Sequence, residues 1–250
     1  MPASRGPFDP DRGEFLFISG RKGSGKSVLA RRFFDAYPYD RLVIDPTGDV
    51  STALADDGVP FVRLTDPLPL RFPRAAGDWE GRGPAKMDGG QRQRVTAVFV
   101  PDMGSPTAED DMDRALGLAL ANPPTCAWVD EIGTLTRNGK TPPNLRRGLH
   151  HGRHDKLTLI ECGPRPKDID PLCVSQADHI FTFDTPNPLD RKRISENIGW
   201  PPAEFDRAAN ELGEHEYLWY DARAHRLTHM PKLPPRRRTY PTGPLRQETF

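Results

Sequence analysis

Cysteine is nearly absent: three in 250 residues. Cys126, Cys162 and Cys173 are odd in number and lack metal-type spacing, which excludes a disulfide framework and a zinc ribbon. They read as buried thiols of a reducing, cytoplasmic protein. A net charge is absent too, with 35 Lys and Arg against 35 Asp and Glu. No global basic field advertises nucleic acid, so any such contact must be local. No apolar run approaches the roughly 20 residues of a membrane helix, so no membrane span is expected. Residues 1–13 are polar and rich in Pro and Gly, unlike a secretory leader. Proline is not scarce: the 28 residues cluster in loops and towards the C-terminus.

What is present is organised around Gly20-Arg21-Lys22-Gly23-Ser24-Gly25-Lys26-Ser27, a full G-x-x-x-x-G-K-[ST] motif. The apolar run 14–19 before it reads as a buried strand, and Val28 opens a stretch with helical spacing. Strand, glycine loop and helix together predict a phosphate-binding loop for ATP, with Gly20 through Val28 around the nucleotide. Loop N–H groups converge on phosphate at the positive end of the helix. Lys26 is assigned to the terminal phosphates and the Ser27 hydroxyl to Mg²⁺.

Length allows one α/β domain with a sizeable core. Residues 1–13 read as a disordered lead-in, 14–229 as the domain, and 230–250 as a disordered tail containing Arg236-Arg237-Arg238. Strands are predicted at 41–45, 59–64, 95–100, 126–129, 157–160 and 179–183. Helices are predicted at 109–120, 143–151, 168–176, 190–197 and 203–212, and a hairpin at 217–228. Residues 66–94 read as an irregular, net basic excursion. The alternation predicts an α/β fold, its mainly parallel sheet flanked by helices, and with the phosphate-binding loop it resembles the P-loop NTPase type (RecA/ASCE-like). Asp45-Pro46-Thr47-Gly48-Asp49 then falls at the carboxyl end of a strand, where such sheets place ligands.

Cys126-Ala127-Trp128-Val129-Asp130-Glu131 has the form of a Walker B strand. A buried strand delivers two carboxylates to its exposed end. Asp130 suits Mg²⁺, which keeps several waters and takes few protein oxygens. Glu131 suits the polarising of an attacking water, as hydrolysis requires. His150, His151 and His154 lie close together without a fourth ligand and read as a solvated helix end, not a zinc site.

In these motifs the chain resembles the FtsK–HerA superfamily of DNA-pumping ATPases, which includes viral genome-packaging ATPases. The likeness covers residues 14–220. It rests on the P-loop, the Asp45-Pro46-Thr47-Gly48-Asp49 turn, the Asp130-Glu131 pair, and Gly152-Arg153 followed by a strand and Pro164-Arg165-Pro166. The segment 177–183 and Asp190-Arg191 complete it. The resemblance implies a homo-oligomeric ring, a hexamer in most members, with an arginine completing the neighbour's site. Arg153 matches by context, with Arg146, Arg147 and Arg165 as alternatives. It also implies sequence-independent contact with double-stranded DNA and docking on a capsid portal or vertex protein in the host cytoplasm or the virion. Pro164 stands where the family carries a γ-phosphate-sensing Gln. Glu161 and Cys162 are the neighbouring groups that could replace it.

Other readings compete. Relatives that drive phage export or conjugation share the motifs. A small-molecule kinase could use 66–94 as a lid, but the second carboxylate, Glu131, argues against it. A GTP switch needs an Asn-Lys-x-Asp reader, which Asn138-Gly139-Lys140-Thr141 does not supply. A regulatory ATP-binding protein would lack DNA-stimulated turnover.

Overall fold

The computed structural model describes residues 12–65, 68–72, 94–136 and 140–234. Among the described residues seven strands run parallel: β1 (Phe15–Ser19), β2 (Asp40–Ile44), β3 (Val62–Leu64), β4 (Thr96–Phe99), β5 (Thr125–Val129), β6 (Leu157–Gly163) and β7 (His179–Thr182). The hairpin of β8 (Tyr217–Asp221) and β9 (Arg226–Met230) adds to β7 in antiparallel sense. The order across the sheet is β3-β4-β2-β5-β6-β1-β7-β8-β9. Every residue of β1, β2, β5 and β6 is buried, which is why these strands read as continuous apolar runs rather than alternating ones.

Helices cover both faces. On one, α1 (Lys26–Ala36) and α2 (Asp49–Asp56) pack against Leu16, Ile18, Val43, Trp128, Ile160 and Phe181. The Trp128 and Phe34 rings meet edge to face at 5.6 Å. On the other lie α3 (Ala108–Ala121), the single turn α4 (Ile132–Leu135), α5 (Pro143–His151), α6 (Pro171–Ser175), α7 (Pro188–Ile198) and α8 (Pro202–Asn210). They contribute Met112, Ile132, Leu145, Cys173, Ile194 and Phe205 to a core with Phe15, Phe17, Val129 and Leu159. Three acidic residues occupy the first turn of α3, where the helix dipole favours them. Buried Asp113 of α3 accepts the Asn144 and Leu145 N–H groups and so starts α5.

The sequence expectations hold for the sheet and for most helices, with four differences. The turn after β2 leads into α2, because the Asp45 carboxylate takes the Ser51 and Gly48 N–H groups and nucleates it. The helix expected at 168–176 is a 3-10 turn, Pro166–Asp168, followed by the five-residue α6. Pro171, with extended geometry forced on Asp170, separates the two. Strand β6 runs three residues past its expected end, because its carboxyl group, Glu161, is buried inside the sheet. The turn α4 was not foreseen.

Of the basic excursion, residues 66–67 and 73–93 lie outside the described residues, while Phe72 is buried in the core. Residues 1–11 of the expected lead-in and 235–250 of the expected tail also lie outside the described residues. Residues 231–234 are described, and Leu233 packs beside the α1 face of the core. Among the described residues no helix is long and apolar enough to cross a membrane.

Candidate functional site

The loop leaves β1 at Ser19 and enters α1 at Lys26. Gly20, Gly23 and Gly25 take φ of 146°, 78° and 113°, which side chains rarely adopt. The close fit is tested at Gly20, where an added Cβ would stand 2.6 Å from Phe183 Cβ and 2.7 Å from Ser24 Oγ. The loop is tied down at its rim. The Arg21 N–H donates to the Asp184 carbonyl at 2.8 Å, and the two side chains form an ion pair. Lys26 Nζ donates to the Gly20 and Arg21 carbonyls at 2.8 and 3.1 Å, so its ammonium lies along the loop itself. No acidic residue occupies the first turn of α1, leaving its positive end free of a competing carboxylate. Ser24 Oγ is buried with no hydrogen-bond partner among the described atoms. A glycine cradle, an unsatisfied hydroxyl and a lysine along the loop fit a chain of phosphates.

The second motif arrives two strands away. Strand β6 lies between β5 and β1, and Val129 is level with Glu161 and Glu161 with Phe17. Asp130 and Glu131 therefore leave the sheet at the same edge as the P-loop. Glu131 sits at φ 54°, ψ 55°, in the left-handed region, as the cap of α4. A non-glycine residue pays about 1–3 kcal/mol to stay there, and such outliers cluster at functional sites. Asp130 is pushed up to about 7, first by burial and then by the charges of Glu131 and Asp45, with Lys26 opposing and Asp49 adding. Four carboxylates thus crowd one lysine. The donor set, a Ser27 hydroxyl with carboxylate oxygens only, matches what Mg²⁺ takes.

The two groups considered as replacements for the missing Gln part company. Glu161 faces α6, where burial and Asp170 push its carboxyl up to about 8 against the opposing hydrogen bond of Cys173. It points away from the α1 face. Cys162 faces the α1 side, among Asp130, Lys26 and Trp128, with its thiol held protonated mainly by burial. Pro164 brings no donor.

Arg153 lies at the opposite edge of the sheet from the P-loop. Its guanidinium pairs with Asp178 at 3.1 Å, donates to the Gln176 carbonyl at 3.1 Å and rests 5.2 Å from the Phe15 ring centroid. Asp178 in turn accepts the Phe15 N–H, at the start of β1. Arg146 and Arg147 line an open surface pocket on α5. Arg165 follows the end of β6, at the edge that carries Asp130 and Glu131, and is loosely paired with Asp168 at 3.8 Å. Asp190 and Arg191 form a bracket: Asp190 accepts the Lys167 N–H, and Arg191 holds the Thr185 carbonyl at 2.8 Å and Asp206 at 2.6 Å. Reasoning from sequence missed Phe183 and His215. Phe183 packs under Gly20 and Gly25, and His215 Nδ1 lies 3.1 Å from the Ser24 carbonyl. Phe183 closes the segment 177–183 with nothing local to give it a role at the loop, and no motif marks His215.

No protein-family model matches the chain. A stretch of 109 residues is 32% identical to the aliphatic sulfonates import ATP-binding protein SsuB of Ralstonia nicotianae. That match takes in 33% of this chain and spans 37% of the relative's length. Among solved structures, the chain is similar to the genome packaging NTPase of Sulfolobus turreted icosahedral virus 2 in complex with AMPPCP. The TM-score is 0.63 at 21% identity, over 90% of this chain and 100% of that one. The same viral protein has been solved with ATP-gammaS and with sulfate. VirB4 of Thermoanaerobacter pseudethanolicus gives a TM-score of 0.62 at 14% identity, over 91% and 93% of the two chains. At these identities the likeness is one of fold, and the fold is that of a P-loop NTPase.

Proposed function

We propose that this protein hydrolyses ATP to move double-stranded DNA, as a viral genome-packaging motor. The observation that carries the reading is the placement of Glu131. A strained carboxylate stands beside Asp130 at the P-loop edge of the sheet, where hydrolysis needs a group to orient water and phosphoryl transfer to another acceptor does not. The fold likeness to a packaging NTPase over 90% of this chain and 100% of that one supports the choice among hydrolases. The fold likeness to VirB4 is comparable, and a second reading is another motor of this type, one of phage export or conjugation.

Gly20 through Ser27 hold the phosphates by backbone N–H groups and the α1 dipole. Lys26 exchanges its bonds to the Gly20 and Arg21 carbonyls for the terminal phosphates, and its charge offsets what develops on the transferred group. Ser27 and Asp130 would hold Mg²⁺, which supplies charge neutralisation at the phosphates. Asp130, driven towards the neutral acid by its surroundings, gains most from a cation. Glu131 orients and deprotonates the attacking water. An arginine from a neighbouring subunit completes the site. Arg153 can do so only if the neighbour presents the far edge of its sheet, whereas Arg165 already stands at the site edge. DNA is held by phosphate contacts from basic segments, 66–94 and Arg236-Arg237-Arg238 among them, and is released by salt. Assembly as a hexameric ring on a capsid portal or vertex would bring those segments to one channel.

The test is phosphate release by purified protein with and without double-stranded DNA, beside Glu131→Gln. Stimulation by DNA of any sequence, lost with salt, and a drop of about 10²–10⁴-fold in the variant are expected. Turnover indifferent to DNA would overturn the motor reading and leave an ATPase of another kind.

A further inference from the structure

The P-loop has two flanks. On one, β6 and β5 bring Asp130 and Glu131, the groups that act on a terminal phosphate. On the other, towards β7 and β8, lies a cleft of about 360 Å³, within the range of about 300–1,000 Å³ usual for ligand pockets. Beyond the P-loop itself its walls are Val28, Phe183, His215, Lys232 and Leu233. A triphosphate laid along the loop has its terminal end at the carboxylates and its nucleoside end at this cleft. We propose that the cleft seats a purine base, with low selectivity between adenine and guanine, and that the segment just past β9 is its outer wall. The proposal rests on the P-loop reading above and extends it.

Three observations converge. His215 is held at φ 63°, left-handed without being glycine, and its ring bonds the Ser24 carbonyl of the P-loop at 3.1 Å. Strain of this kind persists only where the surroundings over-determine it. Val28 is 50% exposed on the first turn of α1, an apolar side chain presented to the cleft rather than to the core. The outer wall is anchored from outside the sheet: Leu233 packs beside the core cluster that contains Phe181 and Tyr217, and the Arg32 guanidinium bonds the Pro234 carbonyl. The low selectivity follows from the side chains. Among the described lining residues there is no carboxylate or amide to accept from the guanine N1–H and amino group, and Lys232 only donates. Apolar and ring contacts are indifferent to the base edge, because every base has a π-face.

Equilibrium competition on the full-length chain separates the seat from the P-loop, using ATP, GTP and inorganic tripolyphosphate as probes. Leu233→Asp and His215→Asn (Asn tolerates the left-handed backbone) should each weaken ATP and GTP about tenfold, the scale of one lost base contact. Tripolyphosphate should bind all three proteins alike. Wild type should bind ATP and GTP within about tenfold of each other. Equal weakening of all three probes would overturn the proposal, making the wall a support for the loop alone, and so would no weakening at all. A preference of wild type beyond about a hundredfold for either base would also overturn it. Failure of wild type to bind even tripolyphosphate would instead sink the P-loop reading beneath it. If Leu233→Asp fails to fold, judged by its melting curve, His215→Asn decides.

Discussion

The two edges of the sheet handle buried carboxylates in opposite ways. At the amino edge, Glu14 and Asp178 are 1% and 5% exposed, and each has an arginine against it. Arg223 reaches Glu14 at 3.0 Å and Asp178 at 3.4 Å, and Arg153 reaches Asp178 at 3.1 Å. At the carboxyl edge the buried Asp130 has Glu131, Asp45 and Asp49 around it with Lys26 alone opposing them, and it is forced towards neutrality. One edge is electrostatically finished by the chain itself. The other is finished only by what it binds. That asymmetry marks the carboxyl edge as the candidate site without reference to any motif, because charge left uncompensated in a fold costs stability and persists where function uses it.

The largest effect within the P-loop should come from removing the carboxyl edge's counter-charge. Lys26→Ala is expected to lower ATP hydrolysis by at least about 10²–10³-fold, as the loss of one charge-stabilising group does, with little change in melting temperature. A loss of fold instead of turnover would mean that the hydrogen bonds to Gly20 and Arg21 hold the loop, and the comparison would fail at its centre. At the amino edge the expectation is reversed. Asp178→Ala takes the ion-pair partner of Arg153, leaves Arg223 with Glu14 alone and strands the Phe15 N–H, and should cost about 2–4 kcal/mol of stability, read from denaturant unfolding.

The carboxyl edge also makes a signed prediction in pH. The Asp130 carboxyl is raised in the folded state from an ordinary 3.8 to about 7. The folded state therefore holds its proton more tightly than the unfolded chain. That advantage is full below about pH 4 and is lost as pH rises through about 7. Asp130→Asn, which keeps the shape and never ionises, should match wild type near pH 4 and be more stable at pH 8. The ceiling is about 4 kcal/mol, three units at 1.36 kcal/mol each. Glu161→Gln should show the same sign, with its window reaching about pH 8. Because Glu161 faces α6, this variant should leave hydrolysis unchanged. Melting curves from pH 4 to 9 check both. A wild type that gains on Asp130→Asn as pH rises would contradict the crowding of charge at this edge.

Much of this was legible in the sequence, for a physical reason. Strands buried on both faces are continuous apolar runs, so β1, β2, β5 and β6 announce themselves, and the P-loop and Asp130-Glu131 are read directly from their ends. What stayed hidden depends on contacts between distant residues. Helix α2 starts because Asp45 caps it across a turn. Glu161 looks like a strand terminator until the fold encloses it. Phe183 and His215 reach the P-loop only because β7 lies beside β1 and β8 beside β7, some 160 to 190 positions away in the chain. Arg153 illustrates the converse: its Gly-Arg context is legible, while its partner Asp178 is fixed only by the sheet.

Arg153 gives the smallest effect and the sharpest division between the two edges. Its side chain is 47% exposed, so its pairing with Asp178 is largely screened, and Arg153→Ala should cost about 1 kcal/mol or less. If its work ends at the amino edge, hydrolysis per folded subunit stays near wild type. Arg165→Ala, at the carboxyl edge, should then cut turnover by about 10³-fold or more without changing the melting temperature, as loss of a catalytic arginine does. If a neighbour's Arg153 instead completes the site, the results exchange, and mixing Arg153→Ala with Glu131→Gln subunits restores activity at the interfaces where intact halves meet. Such complementation would show that the amino edge of one subunit abuts the carboxyl edge of the next. The two edges would then be halves of a single site, and the charge asymmetry a feature of the isolated chain.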